Sequence, residues 1–168
     1  MKKVVLLFLF SLICCACFAQ LQTNIKGLQL GTTNMNQAKN ILTTQGFKLL
    51  AETKNLIAVD GFEFGDVRWD KTGIFFYEDK INTIFFAGDE EYIEQGELPY
   101  PYTKLKNALI AKYKDYILLD EFDVLSFEDD DTEIVLTIGG ESPYKCVRLY
   151  YSDIKLCNRQ AEAELNEL

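Results

Sequence analysis

Hydrophobic positions change their rhythm several times along this chain, and each change marks an element. The first apolar stretch, Val4 to Cys14, is unbroken by charge and follows Met1-Lys2-Lys3. After a short lead-in over 20–30, Gly31-Thr32-Thr33-Asn34 reads as a turn and helix N-cap. Met35, Ala38, Ile41 and Leu42 then recur at helical spacing until Gly46. That spacing predicts a helix over 34–45, one apolar face inward. From Phe47 the rhythm becomes alternation. Phe47 to Ala51, Leu56 to Val59, Phe62, Phe64, Val67 and Trp69 read as strands. The parity switches at Gly65-Asp66, which predicts a bulge or a break between strands. Ile74 to Tyr77 and Ile81 to Ala87 flank Glu78-Asp79-Lys80 as an antiparallel hairpin.

Residues 88–102 are polar and carry Pro99 and Pro101, so they read as a loop. Thr103 is placed to cap a second helix with Leu105, Ala108, Leu109 and Lys112 or Tyr113 on one face. Strands follow at Tyr116 to Leu119, Phe122 to Phe127, Ile134 to Ile138 and Cys146 to Tyr151. Ile154, Cys157, Ala161, Leu165 and Leu168 return to helical spacing and predict a third helix over 153–167. Strands in consecutive runs joined by short turns favour an antiparallel sheet over βαβ units. The expected fold is therefore α+β, an antiparallel sheet with helices packed on one face and a C-terminal helix. The two halves also match. Phe76-Tyr77-Glu78-Asp79, Ile84 to Gly88 and Tyr92 parallel Ser126-Phe127-Glu128-Asp129, Ile134 to Gly139 and Tyr144. Residues 20–168 read as a single α+β domain, in which this match points to two helix-plus-strands repeats, about 27–95 and 96–168.

The opening run changes the picture of where the protein works. A basic start, an apolar run and small residues Cys17 and Ala19 ahead of Gln20 form a secretory signal, residues 1–19. The protein is then secreted or periplasmic, with no transmembrane segment in the mature chain. The rival reading is a membrane-anchored lipoprotein, with Cys17 after Ala16 as the lipid anchor. Cleavage leaves about 150 residues, enough for a sizeable core. It also removes Lys2 and Lys3, making the domain more acidic than the −9 of the whole chain. That charge repels phosphate backbones, so nucleic acid is not expected as a partner.

The chain has no histidine. This excludes Ser-His-Asp and Cys-His catalysis and every His-ligated metal. Past the leader only Cys146 and Cys157 remain, too few for a structural zinc site. Neither metal nor cofactor is expected. The two cysteines can form a disulfide in an oxidising compartment. Alternatively Cys157 lies on the apolar stripe of the third helix as a small hydrophobe. Glu128 to Asp131 lacks the glycine and closing Glu of a calcium loop and reads as a solvated hairpin turn. Asp120, Glu121, Asp123 and Glu63 are the carboxylates that a glycosidase-type acid–base pair would draw on. Both faces of the Phe-rich hairpin are apolar, so one face meets the helices and the other either curls onto the core or meets a partner.

Gly27-Leu28-Gln29-Leu30-Gly31-Thr32-Thr33, followed by Ala38, Leu42 and Gly46-Phe47, resembles the opening of BamE and β-lactamase-inhibitor-like modules. Asp60 to Gly65 and Lys80 to Phe86 are similar to the middle strands of such modules, and Tyr102 to Tyr113 to the start of a second copy. The resemblance implies helices on an antiparallel sheet, modules in tandem, and action by binding proteins. It carries over no functional residue. The expected function is a non-catalytic protein-binding module of the cell envelope whose partner is another envelope or secreted protein. A secreted hydrolase using a carboxylate pair and an envelope structural lipoprotein are the alternatives. Phe76, Phe86, Tyr100 and Tyr102 are the expected contact residues.

Overall fold

The computed structural model describes residues 20–94 and 96–167. The leader 1–19, and with it Cys17, lies outside the described residues. The lead-in is a hairpin of strands β1 (Asn24–Ile25) and β2 (Leu28–Gln29). Its turn residues Lys26 and Gly27 have φ of 51° and 90°, the doubly positive geometry that matches strand twist. Ile25 and Leu28 point into the core. Helix α1 (Met35–Thr44) starts with a capping box. Asn34 Oδ1 accepts from the Gln37 N–H at 2.9 Å, and Gln37 Oε1 accepts from the Asn34 N–H at 3.0 Å. Two of the first turn's unpaired donors are satisfied this way.

Strands β3 (Leu49–Thr53), β4 (Leu56–Val59), β5 (Phe62–Phe64), β6 (Val67–Trp69), β7 (Lys71–Tyr77), β8 (Lys80–Ala87) and β9 (Glu91–Tyr92) follow. Helix α2 (Tyr100–Tyr113) and a short 3-10 turn lead to β10 (Ile117–Asp120), β11 (Val124–Glu128), β12 (Thr132–Gly139) and β13 (Tyr144–Asp153). Helix α3 (Ile154–Leu165) ends the chain. The protein is α+β: nine strands form one antiparallel sheet, in the order β10-β11-β12-β13-β8-β7-β4-β3, with β9 on β13. The second helix begins earlier than expected, at Tyr100, with Pro99 at the N-cap and Pro101 in the first turn. A proline there removes only an N–H that has no helical partner anyway, so the two prolines open a helix rather than a loop. The parity switch at Gly65-Asp66 is a true break. Both residues have positive φ and form the turn between β5 and β6, which pair with each other off the main sheet.

Register builds the core in one layer. Ile57 faces Ile74, Ile74 faces Ile84, and Ile84 faces Tyr151. Tyr151 faces Ile134, and Ile134 faces Phe127. The parallel row runs Val59, Thr72, Phe86, Leu149, Leu136, Leu125. All of these side chains are buried. Covering this inner face are Ala38 and Leu42 of α1, Tyr102, Leu105, Leu109 and Tyr113 of α2, and the β5–β6 hairpin. The hairpin sets Phe62, Phe64 and Trp69 around Phe86, with ring centroids 5.3–5.5 Å apart. Trp69 Nε1 donates to the Phe64 carbonyl at 3.0 Å, so the buried indole leaves no orphan donor.

Helix α3 lies on the other side. Its Cys157 thiol is 3.6 Å from the Thr83 hydroxyl, which is 3.3 Å from Ser152 Oγ. Both residues alternate with core positions and so point to the outer face. Asp153 caps α3 through the Leu156 N–H at 2.8 Å. An added Cβ at Gly31, φ 71°, would run into the Asp153 carboxylate, so glycine is required where the entry segment crosses the α3 cap.

Candidate binding surface

The outer sheet face has a central row without a charge. From the first four strands of the sheet it takes Ala51, Ala58, Gly73 and Phe85. From the last four it takes Tyr150, Val135, Ser126 and Leu119. Each is the register partner of the next. An antiparallel sheet with one wet face ordinarily alternates apolar-in with polar-out. Here the outward position is small, apolar or hydroxylated on all eight strands of the row, in a chain that is 26% charged. At its centre Phe85 and Tyr150 stack with ring centroids 4.9 Å apart, and both remain partly exposed. An added Cβ at Gly73 would sit 3.0 Å from the Phe75 ring, so glycine lets that ring lie down across the row. Phe75 is 38% exposed.

The two flanking rows carry opposite charge. On one side Lys71, Ala87, Arg148 and Thr137 line up across four strands. The Arg148 guanidinium lies over Gly139, where any Cβ would collide with it. The neighbouring Cys146 raises the proton affinity of Arg148 against the opposing effect of burial. On the other side Glu128 and Glu133 stand directly opposite each other. Partial burial, with Glu128 adding its charge, pushes the Glu133 carboxyl above the usual range. Like charges in register destabilise a sheet.

The expected contact residues divide. Tyr100 is 78% exposed on the first turn of α2. Phe76, Phe86 and Tyr102 belong to the core, which corrects their assignment as contacts. Phe86 has the parity of Ile84 and Phe76 that of Ile74, so both point inward; their neighbours Phe85 and Phe75 are the outward rings. Tyr102 is clamped beneath α2, its hydroxyl without a hydrogen-bond partner. Burial, with Asp123 and Asp120 adding, pushes its phenol up to about 12. Of the two readings of the cysteines the disulfide is not formed: Cys146 and Cys157 are free thiols. Cys157 sits beside Thr83, the partner of Ser152, while Cys146 lies six residues further along β13. At about 3.3 Å per residue that is about 20 Å, well beyond bridging range. Burial raises the Cys157 thiol above its ordinary value.

The acidic run is used structurally. Asp129 accepts the N–H of Asp131 at 3.0 Å and of Thr132 at 2.7 Å through one oxygen, and of Leu21 at 2.9 Å through the other. Asp131 pairs with Lys155 of α3. Of the carboxylates named for acid–base work, Asp120 is ion-paired with Lys106. Glu63 lies opposite Arg68 in the β5–β6 hairpin. Among the described residues no helix is long and apolar enough to cross a membrane. No family model, curated protein or solved structure matches this chain. The functional reading therefore rests on the surface itself.

Phe85, Tyr150 and Arg148 carry that surface and were not singled out from the sequence. The signal was in β13, where Cys146, Arg148 and Tyr150 alternate with Val147, Leu149 and Tyr151. In Ile84-Phe85-Phe86 the alternation is masked because both parities are apolar.

Proposed function

We propose that this is an exported, non-catalytic protein-binding protein of the cell envelope, docking its partner on the outer sheet face around Phe85 and Tyr150. The carrying observation is the charge-free row spanning the sheet. Aromatic side chains in a desolvated centre with charges at the rim are the anatomy of a protein interface. The rim specifies the partner's chemistry: an apolar patch flanked by a carboxylate on the Arg148 side and a Lys or Arg on the Glu133 side.

A tandem-module origin fits the layout of the helices and edge strands. Each of α1 and α2 precedes an edge strand with a bulge, at Leu50 in β3 and Leu118 in β10. Each helix pairs a lysine with an acid on that strand, Lys39 with Glu52 and Lys106 with Asp120. The meanders β3-β4-β7-β8 and β10-β11-β12-β13 meet at β8 and β13. A two-fold axis between Phe85 and Tyr150 exchanges Ile84 with Leu149 and Phe86 with Tyr151, as their register requires. The match of Phe76–Tyr92 to Ser126–Tyr144 runs one strand out of step with this equivalence. The binding face would then be built at the seam of the two modules.

The test is capture of partners from the protein's own cell envelope, with wild type and Tyr150→Glu as parallel baits. The proposal expects a specific protein held by wild type and lost by the variant. Equal retention by both baits, or turnover of a sugar or peptide panel by the purified protein, would overturn it.

A further inference from the structure

We propose that the groove between α3 and the outer sheet face, lined by Asn82, Glu164 and the Phe75 ring, binds a small primary ammonium ion that carries an apolar group. The groove holds about 380 Å³. A bulge in the β7–β8 pairing builds its polar end. Phe75 faces Thr83 and Phe76 faces Ile81, so Asn82 is the extra residue without a partner across the ladder. A bulge of this kind re-aims a side chain. Asn82 joins Thr83 beneath α3, where its amide meets Gln160 at 2.7 Å. Asn82 is 5% exposed, and its Oδ1 is buried with no hydrogen-bond partner.

The neighbours of that oxygen fix it as the orphan. An ionised carboxylate only accepts. Glu164 therefore takes the NH2 group of Gln160, at 2.8 Å, and turns the Gln160 oxygen toward Asn82. Asn82 must then give its own NH2 group to Gln160, which leaves Oδ1 over. The Cys157 thiol donates to the Asn82 main-chain carbonyl at 3.7 Å, and the Thr83 hydroxyl is shared between Ser152 and Cys157. A buried acceptor left this way calls for a donor from outside the chain. Charge selects the donor. Among the described residues the groove is lined by Glu164 and by no lysine or arginine. The adjoining groove brings Lys54, but Asp79 accompanies it and Glu78 is paired with Arg159 at 2.7 Å. Past Arg159, α3 carries Glu162 and Glu164 and no basic residue. The ammonium head donates to Asn82 Oδ1 and faces Glu164, while the apolar body lies against Ala161 and the partly exposed Phe75 ring.

The test is a titration of the isotope-labelled protein with phenethylamine, protonated at neutral pH, read from its amide chemical shifts. A ligand of this size should bind with a dissociation constant on the order of 1 mM, with saturable shifts at Phe75, Asn82, Thr83 and along α3 from Cys157 to Glu164. Phenethyl alcohol, of the same shape without the charge, should bind about fivefold more weakly or worse. Asn82→Leu, which removes the orphaned oxygen, should weaken the amine by about tenfold with the far-UV spectrum unchanged. Glu164→Gln, on the exposed side of α3, should weaken it by about threefold. No saturable shift up to about 20 mM amine overturns the inference. So does equal binding of the alcohol, or amine binding that survives both variants.

Discussion

The two faces of the sheet are made from the same kinds of residue and do different work. Phe86 and Tyr151 on one face and Phe85 and Tyr150 on the other are sequence neighbours in the same two strands. The inner pair is buried under α1, α2 and the β5–β6 hairpin, whereas the outer pair stacks together and stays partly exposed. Aromatic content alone does not distinguish a core from a docking surface. What does is whether the chain supplies a layer to cover it. Among the described residues the outer face carries α3, which rests near Thr83 and Ser152 and buries Leu156.

The largest effects should separate the faces by stability. Phe86→Ala opens a cavity among Phe62, Phe64, Trp69 and Tyr151 and should cost about 3–5 kcal/mol in urea unfolding. Phe85→Ala should cost under about 1.5 kcal/mol, because its ring is already partly hydrated. Comparable losses at the two positions would erase the distinction between the faces.

The attachment of α3 comes next. Asp153→Ala removes its cap and should cost about 1 kcal/mol. Amide hydrogen exchange should show the loss concentrated in α3, with β12 protected as before. Loss of protection throughout the sheet would mean that α3 belongs to the core layer.

The acidic corner gives a smaller, pH-dependent effect. The folded-state affinity of Glu133 for its proton is raised by burial first and Glu128 second. Its contribution is therefore favourable below the ordinary carboxylate range and is lost as pH rises through the raised folded value. Glu133→Gln should stabilise the protein by about half a kcal/mol at pH 7 and change nothing at a pH where wild-type Glu133 is protonated in both states. Thermal unfolding at the two pH values measures this. A destabilising effect at pH 7 would show that Glu133 is compensated within the chain.

The smallest effect is chemical. Cys146 is buried, and Cys157 is half-covered with its thiol raised by burial. Alkylation of either by iodoacetamide at pH 7 should be slow in the native protein and fast after denaturation. Rapid native labelling of Cys157 would mean that α3 lifts readily from the outer face.

Much of this architecture was legible in the residues. Asn34 and Gly46 bracket α1 to within a residue, and hydrophobic alternation locates the long strands. Three things were not. Pro99 and Pro101 read as a loop because a proline that opens a helix looks the same in sequence as one that excludes a strand. The inward or outward sense of Phe75, Phe76, Phe85 and Phe86 was hidden because neighbouring positions are all aromatic and parity carries no contrast. The pairing of β8 with β13 is a contact between residues far apart in the chain, and it alone brings Phe85 to Tyr150. The proposed binding face is a product of that pairing and so has no local signature.

Docking of a partner on the outer face around Phe85 and Tyr150, as proposed, can be tested directly. The direct measurement is photo-crosslinking in the intact cell envelope, with a benzophenone side chain placed in turn at Phe85, Tyr150 and Tyr100. One protein species should be joined to the probe at Phe85 and at Tyr150 but not to that at Tyr100. Adducts only from Tyr100, or equal and diverse adducts from all three positions, would contradict it.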